Sequence, residues 1–302
     1  MPLSATQILQ FNVPNAVATG CEVADRYLVS VRSGFDSPRY WASFDTVTET
    51  ARAFAGIPGG SSASAPRSLV AYGNYAYSTH RNGIYRLNPV NGGVLQISSF
   101  TVTDPPYAVL VGTKLWVIVA SNTARCWDFA SGTLITAGWS WPASISRHPF
   151  YAYGYLWFSS TGSNITRVDL VTGTATTEST AVGNQATRTM VAVDGYLWWG
   201  VAAGRLTKFD PATMTILDTY GSELTSNWER EIVVGSDGRL YLFWSSRMFG
   251  FDPYTLEWLP SPNYEYDADL PSDTGIGSTN QSYWFARSNG ELWAIHSSPS
   301  SW

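Results

Sequence analysis

Lysine is nearly absent from this chain: only Lys114 and Lys208 occur among 302 residues, and charged residues of all kinds make up 14%. Acidic residues outnumber basic ones, 23 to 18, leaving a net charge of -5 that excludes a non-specific nucleic-acid binder. Cysteine is equally sparse. Cys21 and Cys126 are too few for a disulfide framework or a cysteine metal site, and their placement predicts two buried free thiols. No apolar run approaches the length of a membrane span, so membrane insertion is not expected. The first residues, Met1 to Gln7, have neither a basic nor an apolar signal region, which predicts a chain made without a secretion signal.

Serine, threonine, glycine and aromatic residues fill the gap, with 14 Trp, 17 Tyr and 13 Phe. This composition favours strands built on aromatic and β-branched pairs. A repeat confirms the direction. Each unit has an aromatic strand, a polar loop, a strand ending in Asp or a substitute, and a turn into a last strand. The closing residues are Asp45, Asn88, Asp128, Asp169, Asp210, Asp252 and His296, at steps of 43, 40, 41, 41, 42 and 44 residues. Seven units of about 42 residues predict an all-β, seven-bladed β-propeller with four-stranded antiparallel blades. The expected blades cover about residues 13–56, 66–99, 106–137, 146–179, 187–220, 230–260 and 272–296 of a single domain. Residues 6–12 are expected to complete the last blade and close the ring.

The recurrent Asp residues read as turn formers, one per blade, rather than as metal ligands. Trp116, Trp157, Trp198 and Trp199, in runs such as Leu197-Trp198-Trp199, read as packing between blades. No phosphate-binding glycine loop or nucleophile elbow is present, and no cofactor or metal is expected.

The unit Asp194-Gly195-Tyr196-Leu197-Trp198 with Phe209-Asp210-Pro211-Ala212-Thr213 resembles the YVTN, NHL and streptogramin-lyase-like propellers. This resemblance implies architecture over nearly the whole chain, and it leaves function open because such folds host lyases, hydrolases, lectins and scaffolds. The lyases of that group imply a His and Glu set in late blades. His296 and Glu291 do not fit that set, so no catalytic residue is carried over. His80 and His148 fall instead in units two and four on the loop face.

The loop face is where ligands are expected. Arg67, Arg147, Arg188 and Arg230 stand at the starts of first strands, spaced 80, 41 and 42 residues apart, with Tyr107 in the skipped slot. Arg81, Arg125, Arg205, Arg247 and Arg287 fall in or beside the loops that precede the Asp-ending strands. Two readings stand: an anion-binding mouth, or a ring of ion pairs with Asp36, Asp104, Glu223, Glu229, Glu231, Glu265, Asp267, Asp269 and Asp273. Insertions at Gly56–Pro66, Ala137–Ser146, Tyr220–Trp228 and Leu259–Thr274 bring Trp139, Trp141, Trp228, Tyr264 and Tyr266 to the same rim, to stack on a sugar, dock a protein or cap the blades.

A surface-type composition without a secretion signal, together with a general resemblance to Trp-rich phage tail propellers, implies a non-enzymatic virion component. It would assemble in the host cytoplasm as a minor tail protein and contact neighbouring virion proteins or a host-surface glycan. Two alternatives remain. One is a lyase or hydrolase using His148 with Glu229 or Glu231, and the other is an intracellular peptide-binding scaffold.

Overall fold

A computed structural model describes residues 7–11, 17–32, 41–54, 68–102, 106–119, 123–140, 149–160, 164–179, 190–201, 205–221, 231–244, 247–259, 264–265, 282–286 and 292–297. The described residues form strands and turns, with no helix long and apolar enough to cross a membrane.

After β1 (Gln7–Phe11), the strands fall into successive antiparallel meanders. The first blade is β2 (Val17–Val23), β3 (Tyr27–Arg32), β4 (Trp41–Asp45) and β5 (Thr50–Ala53). The second is β6 (Leu69–Tyr72), β7 (Tyr75–His80), β8 (Gly83–Asn88) and β9 (Gly93–Ser99). The third is β10 (Tyr107–Val111), β11 (Lys114–Val119), β12 (Thr123–Asp128) and β13 (Thr133–Ser140). The fourth is β14 (Phe150–Ala152), β15 (Tyr155–Ser160), β16 (Asn164–Asp169) and β17 (Ala175–Ser179). The fifth is β18 (Val191–Val193), β19 (Tyr196–Val201), β20 (Arg205–Asp210) and β21 (Thr215–Gly221). The sixth is β22 (Glu231–Val234), β23 (Leu240–Trp244), β24 (Arg247–Asp252) and β25 (Glu257–Trp258), with β26 (Tyr264–Glu265) also paired to β24.

Among the described residues, six sheets have four strands or more, so the expected count of seven four-stranded blades is corrected to six. The last repeat contributes β27 (Ser282–Ala286) and β28 (Leu292–Ser297), which join β1 in a three-stranded sheet. β1 does pair with β28, but in parallel, with Gln7 opposite Trp293 and Phe11 opposite Ser297. The physical reason is connectivity. A hairpin turn forces its strands antiparallel, whereas a strand arriving from the far end of the chain is free to pair in either direction.

The chain divides into two compact units. One holds β1 to β13, β27 and nearly all of β28; the other holds β14 to β26. In the first unit, Val23, Val29, Trp41, Phe54, Tyr85 and Leu87 pack between blades one and two. Tyr77, Ile84, Phe100, Ala108, Leu115 and Val117 fill the space between blades two and three. In the second unit, Trp157, Leu197, Trp199 and Phe209 join blades four and five, and Trp198, Leu206, Leu242 and Phe251 join blades five and six. Strands buried on both faces of a blade need apolar residues at successive positions. That is why runs such as Leu197-Trp198-Trp199 break simple alternation.

The turns between third and fourth strands repeat one device. The side-chain oxygens of Asp45, Asn88, Asp128, Asp169, Asp210 and Asp252 accept the backbone N–H two residues on, at 2.7 to 3.0 Å. These N–H donors hold the Asp169 and Asp210 carboxyls below the ordinary range. The recurrence of Asp is thus turn chemistry. At the same end of the blades, the Asp194-Gly195 turn has φ of 51° and 82°, the pair of positive values that a two-residue hairpin of matching twist requires.

Asp45 also accepts from Arg26 Nε at 2.8 Å, and this hydrogen bond is the main reason its carboxyl lies well below the usual carboxylate range. A depressed folded pKa adds stability above the unfolded value near ~3.9, and that stability is lost as pH falls toward the folded value. The pair is partly open to solvent, so Asp45→Asn is expected to lower stability by no more than ~1 kcal/mol at neutral pH. The gap in urea midpoint between variant and wild type should narrow steadily as pH falls below ~4. A gap that does not narrow would show that the charge is not the cause.

The cysteines are free. Cys126 is buried; Cys21 is partly exposed as a residue, but burial of its sulfur pushes the thiol up to about 12.

A candidate ligand rim on blades two and three

The best-defined part of the loop face lies in the first unit, where β7 meets β8. His80 pairs with Gly83, so Arg81 and Asn82 form a two-residue turn. The chain after β9 is laid along this turn. Phe100 N–H donates to the Asn82 carbonyl at 3.2 Å, and Val102 N–H donates to the Arg81 carbonyl at 2.9 Å. Gln96 Nε2 adds a second donor to the Asn82 carbonyl at 2.9 Å.

His80 is 3% exposed, and its Nδ1 lies 2.6 Å from Asn82 Oδ1. The Tyr85 hydroxyl donates to the same oxygen at 2.9 Å, so His80 Nδ1 is the protonated nitrogen of this network. Burial pushes the Tyr85 phenol up. His80 is therefore part of the brace that holds the turn, rather than a loop histidine open to substrate.

Arg81 is different. Among the described residues, its Nε is buried with no hydrogen-bond partner and its guanidinium makes no ion pair. Arg125, from β12 of the neighbouring blade, lies over the ring of Phe100 at 5.0 Å and likewise has no ion pair among the described residues. Other cations are absorbed into blades. Arg86 stacks over Tyr75, Arg167 over Tyr155 and Lys208 over Tyr196, at 4.6, 4.8 and 4.0 Å. Arg167 also donates to the Pro211 carbonyl at 2.7 Å.

Trp139 was expected on a loop, and it lies in β13. The register slips between Thr123 and Ala124, which pair with Ser140 and Ala137, so Gly138 and Trp139 form a bulge. Bulges re-aim side chains, and this one sets Trp139 flat against Trp116, with ring centroids 4.7 Å apart and planes at 17°. Trp116 is buried, while Trp139 is half-buried and keeps part of its surface open.

Other sequence-predicted residues are placed only partly. Glu231 opens β22 opposite Phe243, and Tyr264 opens β26 opposite Met248. Arg67, Arg147, Arg188, Arg230, Trp141, Trp228, Tyr266, His148 and Glu229 lie outside the described residues. Sequence reasoning missed Asn82 and Phe100. The signal for Asn82 was its place in Arg81-Asn82-Gly83, a turn-forming pair between two strands; Phe100 carried none. Among the described residues, no group of three or more His, Cys, Asp or Glu could hold a metal ion.

Repeated four-stranded antiparallel meanders, each closed by the same Asx turn and packed face to face within its unit, define an all-β propeller. Solved structures agree. The chain is similar to a streptogramin B lyase, with a TM-score of 0.68 and 14% identity over 95% of this chain and 92% of that one. It is also similar to the extracellular domain of a hybrid two-component system from B. thetaiotaomicron, with a TM-score of 0.62 and 17% identity, covering 94% of this chain and 39% of that one. A third likeness is the WD40 domain of Neurospora crassa Pan2, with a TM-score of 0.62 and 10% identity over 80% of this chain and 76% of that one. At these identities the likeness is one of fold. Neither a family model nor a curated protein sequence matches the chain.

Proposed function

We propose that this propeller is a non-enzymatic binding module whose rim holds a glycan, with Trp139 as a stacking platform. The single observation that carries this reading is the bulge that lays Trp139 against Trp116 and leaves part of the indole open. A ring held rigid by a second ring loses little freedom when a sugar face settles on it. In the finer form of the proposal, the chain is a virion component, a tail protein that contacts a host-surface glycan or its virion neighbours. The hydroxyl- and Trp-rich, Lys-poor composition supports that form.

Two experiments test the levels separately. On a glycan panel, Trp139→Ala should weaken retention about tenfold, and Trp139→Phe should keep most of it. Equal binding by wild type and Trp139→Ala would sink the platform. Size fractionation of the source with mass spectrometry tests the virion form. Recovery in a megadalton particle supports it, and recovery only as a 33.1 kDa species overturns it.

A further inference from the structure

We propose that Arg81, seconded by Arg125, forms a subsite for the carboxylate of an acidic saccharide. The ligand class rests on the glycan reading; the carboxylate subsite stands on other residues than Trp139.

The argument begins with the turn. Both carbonyls of Arg81 and Asn82 are taken by backbone donors, and the Asn82 side-chain oxygen is taken by His80 and Tyr85. The backbone that carries Arg81 is thereby fixed. The Arg81 Nε is the exception in an otherwise bonded turn, withdrawn from water and unbonded among the described residues. A buried donor without a partner costs free energy, and a fold that keeps one at a rim gains when a ligand supplies the acceptor.

A second guanidinium is linked to this turn through Phe100. Phe100 is hydrogen-bonded to the Arg81-Asn82 turn through its backbone, and its ring lies under Arg125. Among the described residues, Arg26 and Arg239 pair with carboxylates and Arg86, Arg167 and Lys208 lie over tyrosine faces, whereas Arg81 has no ion pair and Arg125 has only the ring of Phe100. A guanidinium offers a planar fork that matches the two oxygens of a carboxylate, and a rigid stem lowers the entropy lost on binding. By the repeat, Arg81 on blade two and Trp139 on blade three occupy the same loop end of their blades, as a saccharide that both stacks and presents an acid would require.

The test reads Arg81 itself. In protein with ¹⁵N-labelled arginine, the Arg81 Nε–Hε resonance is assigned by its loss in Arg81→Lys and followed during titration with D-galacturonate. The expected result is a saturable displacement with Kd on the order of 1 mM. Arg125→Gln should weaken it several-fold, and neutral D-galactose should leave the resonance in place. Equal displacement by chloride or sulfate at matched ionic strength would overturn a carboxylate subsite in favour of screening or a generic anion. Equal displacement by an acidic dipeptide would overturn the saccharide assignment. Absence of a response in wild type also overturns the proposal, and a response gained in Asp104→Asn would show that the chain satisfies Arg81 itself. Because the resonance reports on Arg81 alone, failure here is distinct from failure of the Trp139 platform.

Discussion

Gly83→Ala should lower stability by ~3 kcal/mol, combining overpacking with backbone strain, while Gly73→Ala should cost only ~1 kcal/mol. Both glycines have positive φ, +155° for Gly83 and +58° for Gly73. They differ in their surroundings. A Cβ on Gly83 would lie 2.1 Å from the Ser98 carbonyl oxygen and 2.6 Å from Gln96 Nε2, whereas nothing lies within 4 Å of one on Gly73. The Ser98 oxygen belongs to the backbone of β9, opposite Ile84 at the bulge in that ladder, so relief requires the strand to move. Such a shift would also free Gln96 from the Asn82 carbonyl and loosen the turn that carries Arg81. Urea unfolding of the two variants beside wild type measures the difference. Equal midpoints would mean that β9 yields easily and that the turn is not braced as described.

Trp157→Ala should cost more still, ~4 kcal/mol, within the range for removing a large buried aromatic. Trp157 is fully buried, stands edge-on to Phe209 with centroids 6.0 Å apart, and donates from Nε1 to the Ala152 carbonyl at 2.9 Å. It thus fastens its own blade and plugs the interface with the next. Comparison with Trp198 separates packing from hydrogen bonding. Trp198 is 1% exposed, but its Nε1 has no hydrogen-bond partner among the described residues. Trp157→Phe leaves a buried carbonyl without its donor, whereas Trp198→Phe removes a donor that was already unsatisfied. The first should therefore cost ~1–2 kcal/mol more than the second in thermal or urea unfolding. Similar losses would indicate that cavity volume alone governs both sites.

What could be read from the sequence were interactions closed over short distances along the chain. The Asx turns were legible because each Asp or Asn accepts from the N–H two residues later, so residue type and spacing carry the whole device. The paired aromatic and Asp-ending strands were legible for a similar reason, since they are joined by tight hairpins whose apolar runs mark burial on both faces. The all-β propeller class followed from these alone.

Tertiary structure decided the rest, and in each case the deciding partner is distant or its register is not encoded locally. The last repeat looks like the other six in sequence, yet its described strands, β27 and β28, are joined by β1 from the other end of the chain in a parallel pairing that no local turn encodes. Trp139 left the expected loop because one slipped pair in the β12–β13 ladder placed it on Trp116, 23 residues earlier. His80 passed from the loop face into the core because Asn82 and Tyr85 close around it. Arg86 lies over Tyr75 within its blade, while Arg81 stands in a turn whose backbone acceptors are already taken. Periodicity sets the repeating unit, because local hydrogen bonds and burial recur with it. Which cation finds a partner depends on how neighbouring blades meet, and that is not written in the local pattern.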